Sequence, residues 1–162
     1  MNVWMTAGII AVVAVVVVVK RLVGEPVNVR DLFAPALVIT GIGVWTLCKK
    51  AEHLTGTDIA WAATGAVLGV ALGMVRGGTV QVFEKQGVLW QRYTGRTFLV
   101  LAVSAAFMAG FGLLAVKMGM HEQARPVQLS IGVGFLGEAL VIGWRGLASG
   151  VPFAPERQRR SS

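Results

Sequence analysis

Glu138 is the residue of this chain whose chemistry most needs explaining. It is the one acidic residue deep inside an apolar run, Val127 to Trp144. A carboxylate in such a setting is expensive and normally faces protein or water, which makes it a functional candidate by default. Ser130, Gly134 and Glu138 recur at four-residue steps on one helical face. Arg145, seven residues further and about 10 Å along the axis, returns near that face. Two readings are open. Glu138 is a protonated or paired structural glutamate near a membrane boundary, or it is a catalytic proton donor or acceptor (or a cation-binding group) in a small polar pocket. The second reading places Ser130, Arg145, Ser104 and Thr40 around it.

A second set of chemically able residues lies in loops: Cys48, Glu52, His53 and Asp58, then His121 and Glu122. Two histidines and a thiolate suit zinc, copper or haem iron. No pair has a ligand-motif spacing, so these read as solvated loop residues and no metal or cofactor is expected. With Cys48 the only cysteine, an intrachain disulfide is impossible and thiol exchange would need an outside partner. Asp31 and Asp58, the latter beside Thr57, stand where acidic N-caps would precede helices. No GxSxG, HExxH, Walker loop or repeated acidic diphosphate-binding motif is present.

The elements that must position these groups are membrane-spanning helices. Of 162 residues, 55% are hydrophobic and only 14% charged, with mean hydropathy +0.69. A soluble domain carries roughly a quarter charged residues. Here the charges are clumped between five apolar runs: Val3 to Val19, Leu32 to Leu47, Ile59 to Val75, Phe98 to Val116 and Val127 to Trp144. Each is close to the roughly 17–25 residues needed to cross hydrocarbon as a helix. The first lacks a positive leader and a small-residue cleavage site, and Lys20 and Arg21 follow it, so it reads as an uncleaved anchor. Its valines favour strands in water, but a lone segment in lipid must satisfy its own backbone and is expected to be helical.

The third run carries Gly65, Gly69, Gly73 and Gly77 at strict four-residue spacing, a glycine-zipper pattern that lets another backbone come close. The expected partner is the small stripe Ala102, Ala106 and Gly110 of the fourth helix; homodimerisation is the alternative. Between these helices, Thr79 to Phe83 and Val88 to Tyr93 alternate around Glu84-Lys85-Gln86-Gly87, which predicts a β-hairpin. Trp90 and Tyr93 are expected near lipid head groups.

The net charge of +7 does not point to nucleic acid, because the basic residues sit at the ends of apolar runs. They orient the chain instead. Lys20, Arg21, Arg30, Arg76, Lys85, Arg92, Arg96, Arg145, Arg157, Arg159 and Arg160 would share one side, against Lys49, Lys50, Lys117 and Arg125 on the other. The positive-inside rule then puts the N-terminus outside and the C-terminus in the cytoplasm. The fold expected is an all-α, five-helix transmembrane domain over residues 1–150 with a short cytoplasmic hairpin, followed by a basic, disordered tail over 151–162.

Arg76-Gly77-Gly78-Thr79, Val80-Gln81-Val82-Phe83, Gly87-Val88-Leu89-Trp90 and the closing Gly143-Trp144-Arg145 resemble the CcdC-like family of small bacterial membrane proteins. The resemblance is most specific over Gly65 to Thr97 and the last helix. It implies a bacterial inner membrane location and a fold outline, but no secure activity, so no catalytic residue carries over. Three functions follow from the residues. The first is a non-enzymatic accessory or assembly factor acting through the lipid bilayer, another membrane protein or its own copies. The second is a small enzyme on a lipophilic substrate, such as a metal-independent terpene-cyclase-like reaction with Glu138 as general acid. The third is a small proton-coupled transporter.

Overall fold

The computed structural model describes residues 3–155, so Arg157, Arg159 and Arg160 of the expected tail lie outside the described residues. The chain forms five long helices, α1 (Val3–Val23), α2 (Val29–Lys49), α3 (Gly56–Thr79), α4 (Gly95–Lys117) and α5 (Val127–Ser149). Among the described residues there are also three short strands, β1 (Glu25–Pro26), β2 (Gln81–Lys85) and β3 (Val88–Arg92), and single 3-10 turns at Ala51–His53 and Glu122–Ala124. By length and composition α2, α3, α4 and α5 can each cross a bilayer. They keep large apolar side chains on the outside, among them Leu37, Trp45, Val67, Leu99, Leu113 and Trp144, as lipid-facing helices do.

α5 is the central helix. It packs along α3 on one side and α2 on the other, while α4 leans on α3 and scarcely meets α5. The partner expected for the third-helix glycines is therefore wrong. Gly69, Gly73 and Gly77 face α5, where their missing side chains make room for Ser130, Gly134 and the backbone of Glu138. A Cβ on Gly73 would land on the carbonyl of Gly134, and one on Gly137 would meet the carbonyl of Val70. Gly65 alone of the four looks to α4, with the Phe111 ring 3.2 Å from where its Cβ would be. Ala102, Ala106 and Gly110 are exposed instead. α5 repeats the device toward α2: a Cβ on Gly132 would meet the Thr40 backbone at 2.5 Å, and one on Gly43 would meet Leu129 at the same distance. Close backbone contact of this kind replaces the hydrophobic drive that helices lack between themselves in lipid.

The hairpin forms where the alternation placed it, with a two-residue turn. Gln86 and Gly87 both have positive φ, 55° and 74°, the combination that matches the twist of a tight hairpin. Strand β1, which the sequence reading did not anticipate, adds to the other edge of β3, with Glu25 opposite Gln91 and Pro26 opposite Trp90. The order is β1-β3-β2, all antiparallel. Val151 to Pro155, assigned by sequence to a disordered tail, pack here. Leu89 N–H donates to the Pro152 carbonyl at 2.9 Å and Ala154 N–H to that of Val27 at 2.8 Å. The sheet covers one end of the helices through a core of Val27, Val80, Leu89, Tyr93 and Ile142.

The helix starts also differ from the sequence reading. Asn28, not Asp31, caps α2. Thr55 caps α3, with Asp58 three residues on returning the bond in a capping box. Thr94 and Thr97 do the same for α4, and the Thr97 hydroxyl also donates to the Thr79 carbonyl at 3.0 Å, tying the start of α4 to the end of α3.

Candidate functional site

Two polar constellations and one cavity stand out, and Glu138 belongs to the first constellation. It is 4% exposed, three turns into α5, and both its oxygens are engaged. Arg76 Nε of α3 donates to Oε2, and the Tyr93 hydroxyl, from the turn between β3 and α4, donates to Oε1. Arg76 is itself 7% exposed and lies 5.2 Å over the Phe135 ring. A second guanidinium nitrogen reaches toward the Gly134 carbonyl at 3.4 Å. The carboxylate thus has a cation and a phenol, the pairing that a buried charge requires.

The expected neighbours of Glu138 lie elsewhere. Arg145 turns away to donate to the carbonyls of Gly77 and Val80 at 3.2 and 2.6 Å, closing the C-terminal end of α3. Ser130 donates to the Pro126 carbonyl at 3.2 Å. Thr40 sits in the α2–α5 contact, its buried hydroxyl without a partner among the described residues. Ser104 is buried on α4, and with Ser130 it lines the cavity described below. Sequence reasoning missed both true partners, counting Arg76 among the orienting charges at the ends of the apolar runs and placing Tyr93 near lipid head groups. One signal was available: a carboxylate in an apolar helix calls for a cation at matching depth, and Arg76 sits one position before Gly77 of the glycine stripe that packs on α5.

Tyr93 is 5% exposed and anchors several parts. Its N–H donates to the Arg21 carbonyl at 2.8 Å, and the Arg21 guanidinium lies 4.7 Å from its ring centroid. Burial, then the negative charge of Glu138, pushes its phenol well above the ordinary value of 10.0. Arg21 in turn meets Glu25 at 3.5 Å, and Gln91 donates to the same carboxylate at 3.3 Å.

The second constellation is at the other end. Asp58, 1% exposed, accepts from the Thr55 N–H and hydroxyl and from the His121 N–H at 2.8 Å, and it faces His121 Nδ1 at 3.0 Å. This joins the start of α3 to the loop after α4. Cys48 and His53 are exposed and stand apart from it. Among the described residues no three of His, Cys, Asp and Glu converge as metal ligands would.

Between α3, α4 and α5 lies a cavity of about 350 Å³. Its walls run from Trp61 to Arg76 along α3, about 22 Å of helix. They are mostly apolar, with Leu72, Leu101, Met108 and Phe135 among them. Its polar wall groups are few: Arg76 at the sheet end, Arg125 at the opposite end, and the serines Ser104 and Ser130. The weak contact between α4 and α5 gives it a lateral opening, where Ala105, Ala109 and Ile131 are exposed. Glu138 does not line it.

Compared with known proteins, the chain matches no family model, no curated protein and no solved structure.

The site yields two predictions. Replacing Arg76 alone by Met, or Glu138 alone by Leu, leaves an unmatched buried group and should lower unfolding stability by about 3–5 kcal/mol. The double replacement should recover most of that loss, read as a double-mutant cycle in detergent melts. Tyr93 is the only tyrosine, so tyrosinate absorbance reports it directly. Its folded pKa is raised above the unfolded one, so its stabilising share is complete below about pH 10 and is lost as pH rises through the higher folded value. Tyrosinate absorbance should therefore stay absent just above pH 10 in folded protein and appear at once on unfolding.

Proposed function

We propose that this is a non-enzymatic membrane protein that works by holding one lipophilic molecule in the cavity between α3, α4 and α5. The carrying observation is the cavity itself: apolar, laterally open and close to the 300–1,000 Å³ typical of small-molecule sites. Its length along α3 exceeds the roughly 15 Å of hydrocarbon in one leaflet, so a single extended chain fits along it. An accessory or assembly factor acting through a lipid-like partner is the functional class this supports. The enzyme reading draws less support, because both oxygens of Glu138 are occupied by Arg76 and Tyr93 and the residue stands behind the cavity wall. A proton-coupled transporter would need the same carboxylate to be reachable.

The test is native mass spectrometry of gently solubilised protein. A lipophilic adduct should accompany the natural chain and be lost, at unchanged melting temperature, in Ser104→Phe, which fills the cavity from α4. An adduct that persists in the filled variant, or natural protein that never carries one, sinks this reading.

The setting proposed is a bacterial inner membrane, with α1 as a fifth crossing, the N-terminus outside and the C-terminus cytoplasmic, in a CcdC-like protein. α1 has 21 residues, about 31 Å as a helix. The parity is supported by the way the chain segments group. The loop before α2 and the hairpin join in one sheet, and Val151 to Pro155 hydrogen-bond to it through Leu89 and to the adjoining Val27. The loops after α2 and α4 meet at the other end through Asp58 and His121. Cys48, exposed and the only cysteine, gives a direct reading. A membrane-impermeant maleimide should label it in intact cells, and labelling only after permeabilisation would reverse the orientation.

A further inference from the structure

We infer that the cavity takes an anionic amphiphile, with its phosphate or carboxylate head at Arg125 and its hydrocarbon chain directed toward Arg76. The inference rests on the cavity reading above and adds the charge and direction of the occupant.

The two arginines in the wall are not equivalent. Arg76 is neutralised by Glu138, its ion-pair partner. Arg125 is half-buried and has no carboxylate partner among the described residues. No acidic residue lines the cavity. Glu122, three residues before Arg125 and joined to it by the Arg125 N–H to the Glu122 carbonyl at 3.3 Å, keeps its side chain exposed and forms no ion pair with Arg125 among the described residues. Asp58 at the same end already has its oxygens filled by Thr55 and His121. The cavity therefore carries one uncompensated positive charge, and it is at the end away from the sheet.

The position of that charge is built. The Arg125 guanidinium lies flat on α4 in the space that a side chain at Gly112 would fill, with three of its atoms closer than any real Cβ could tolerate. The next residues, Pro126 and Val127, also line the cavity and begin α5. That helix start has no side-chain cap; the Val127 N–H is taken by the Arg125 carbonyl at 3.1 Å and the Leu129 backbone packs on Gly43 of α2, so what the helix adds to the site is the positive end of its dipole. A guanidinium near the positive end of a helix suits phosphate or carboxylate. Ser104 lies further along the wall. It is 7% exposed, and its hydroxyl has no hydrogen-bond partner among the described residues, leaving one polar contact open in mid-cavity.

The experiment uses the full chain in a neutral detergent, with a photoactivatable long-chain fatty acid and the fatty alcohol of equal length as probes. Wild type should take the acid about tenfold better than the alcohol, the gain expected from one charge-assisted contact. Arg125→Gln should bind both probes equally, at the level of the alcohol, with an unchanged melting temperature. Gly112→Ala keeps the charge but displaces the guanidinium, and should lose the same preference. Inorganic phosphate, an anion without a chain, should not displace the acid. If neither probe labels wild type, the cavity reading itself has failed. If both label it equally, or the preference survives in Arg125→Gln, the cavity stands and the anionic head at Arg125 is overturned. Displacement by phosphate alone would reduce the site to one for small anions and overturn the amphiphile.

Discussion

A carboxylate buried in an apolar helix has to be answered from somewhere, and the answer given to Glu138 organises one whole end of the molecule. Its two donors come from separate stretches of chain, Arg76 in α3 and Tyr93 at the end of the hairpin. The single side chain therefore fixes three things together: the rotation of α5 against α3, the seat of the sheet on the helix ends, and the turn into α4. Tyr93 extends the set to α1, because its N–H holds the Arg21 carbonyl and its ring lies under that guanidinium. The desolvation of an ion pair is rarely repaid in stability alone. What the pair supplies here is register, since a slip of one residue in either helix would leave both charges unmatched.

Register matters because the helices approach so closely. Where Gly73 meets Gly134 and Gly137 meets Val70 there is no room for a methyl group, so only one alignment of the two helices lets backbone face backbone. The charge pair and the glycines specify the same alignment by different means, one through matched polar groups and the other through shape. α5 does this on two faces, since Gly132 fits against Thr40 of α2 in the same manner. A helix contacted on two sides by backbone has little freedom left, and this is the physical sense in which α5 is the core of the protein.

Much of this architecture was legible from residue pattern, and the failures have physical causes. The four apolar spans and the hairpin follow from local properties: run length, alternation, and a Gln86-Gly87 turn that needs positive φ. The true caps Asn28 and Thr55 were missed in favour of Asp31 and Asp58 because an acidic residue near a helix start serves equally at the cap or three positions later. Which helix the glycines of α3 face is a long-range question. A small stripe on α4 and one on α5 look alike in sequence, and only the deep carboxylate on α5 breaks the tie. β1 is two residues long and contains Pro26, so it has no periodicity to detect; it exists because β3 offers an open edge. The partners of Glu138 stayed hidden because they are 62 and 45 residues away in the chain.

The cavity can be understood as the other side of the same constraint. α3 and α5 are joined by a charge pair and by glycines, but nothing comparable binds α4 to α5. Between Arg96 and Lys117 the fourth helix carries no charge, and its small residues Ala102, Ala106 and Gly110 point away from the bundle. It is held to α3 near its two ends, by Thr97 on the Thr79 carbonyl and by Phe111 tilted against Trp61 with ring centroids 5.4 Å apart. The Trp61 and Phe111 rings stand between the two helices at one end, and further along the small residues Ala105 and Ala109 on α4 with Gly69 and Gly73 on α3 leave part of the space beside α5 unfilled. The glycines that let α3 sit against α5 also deprive the cavity wall of side chains. A tightly specified α3–α5 contact and an unfilled volume next to it thus arise from the same residues.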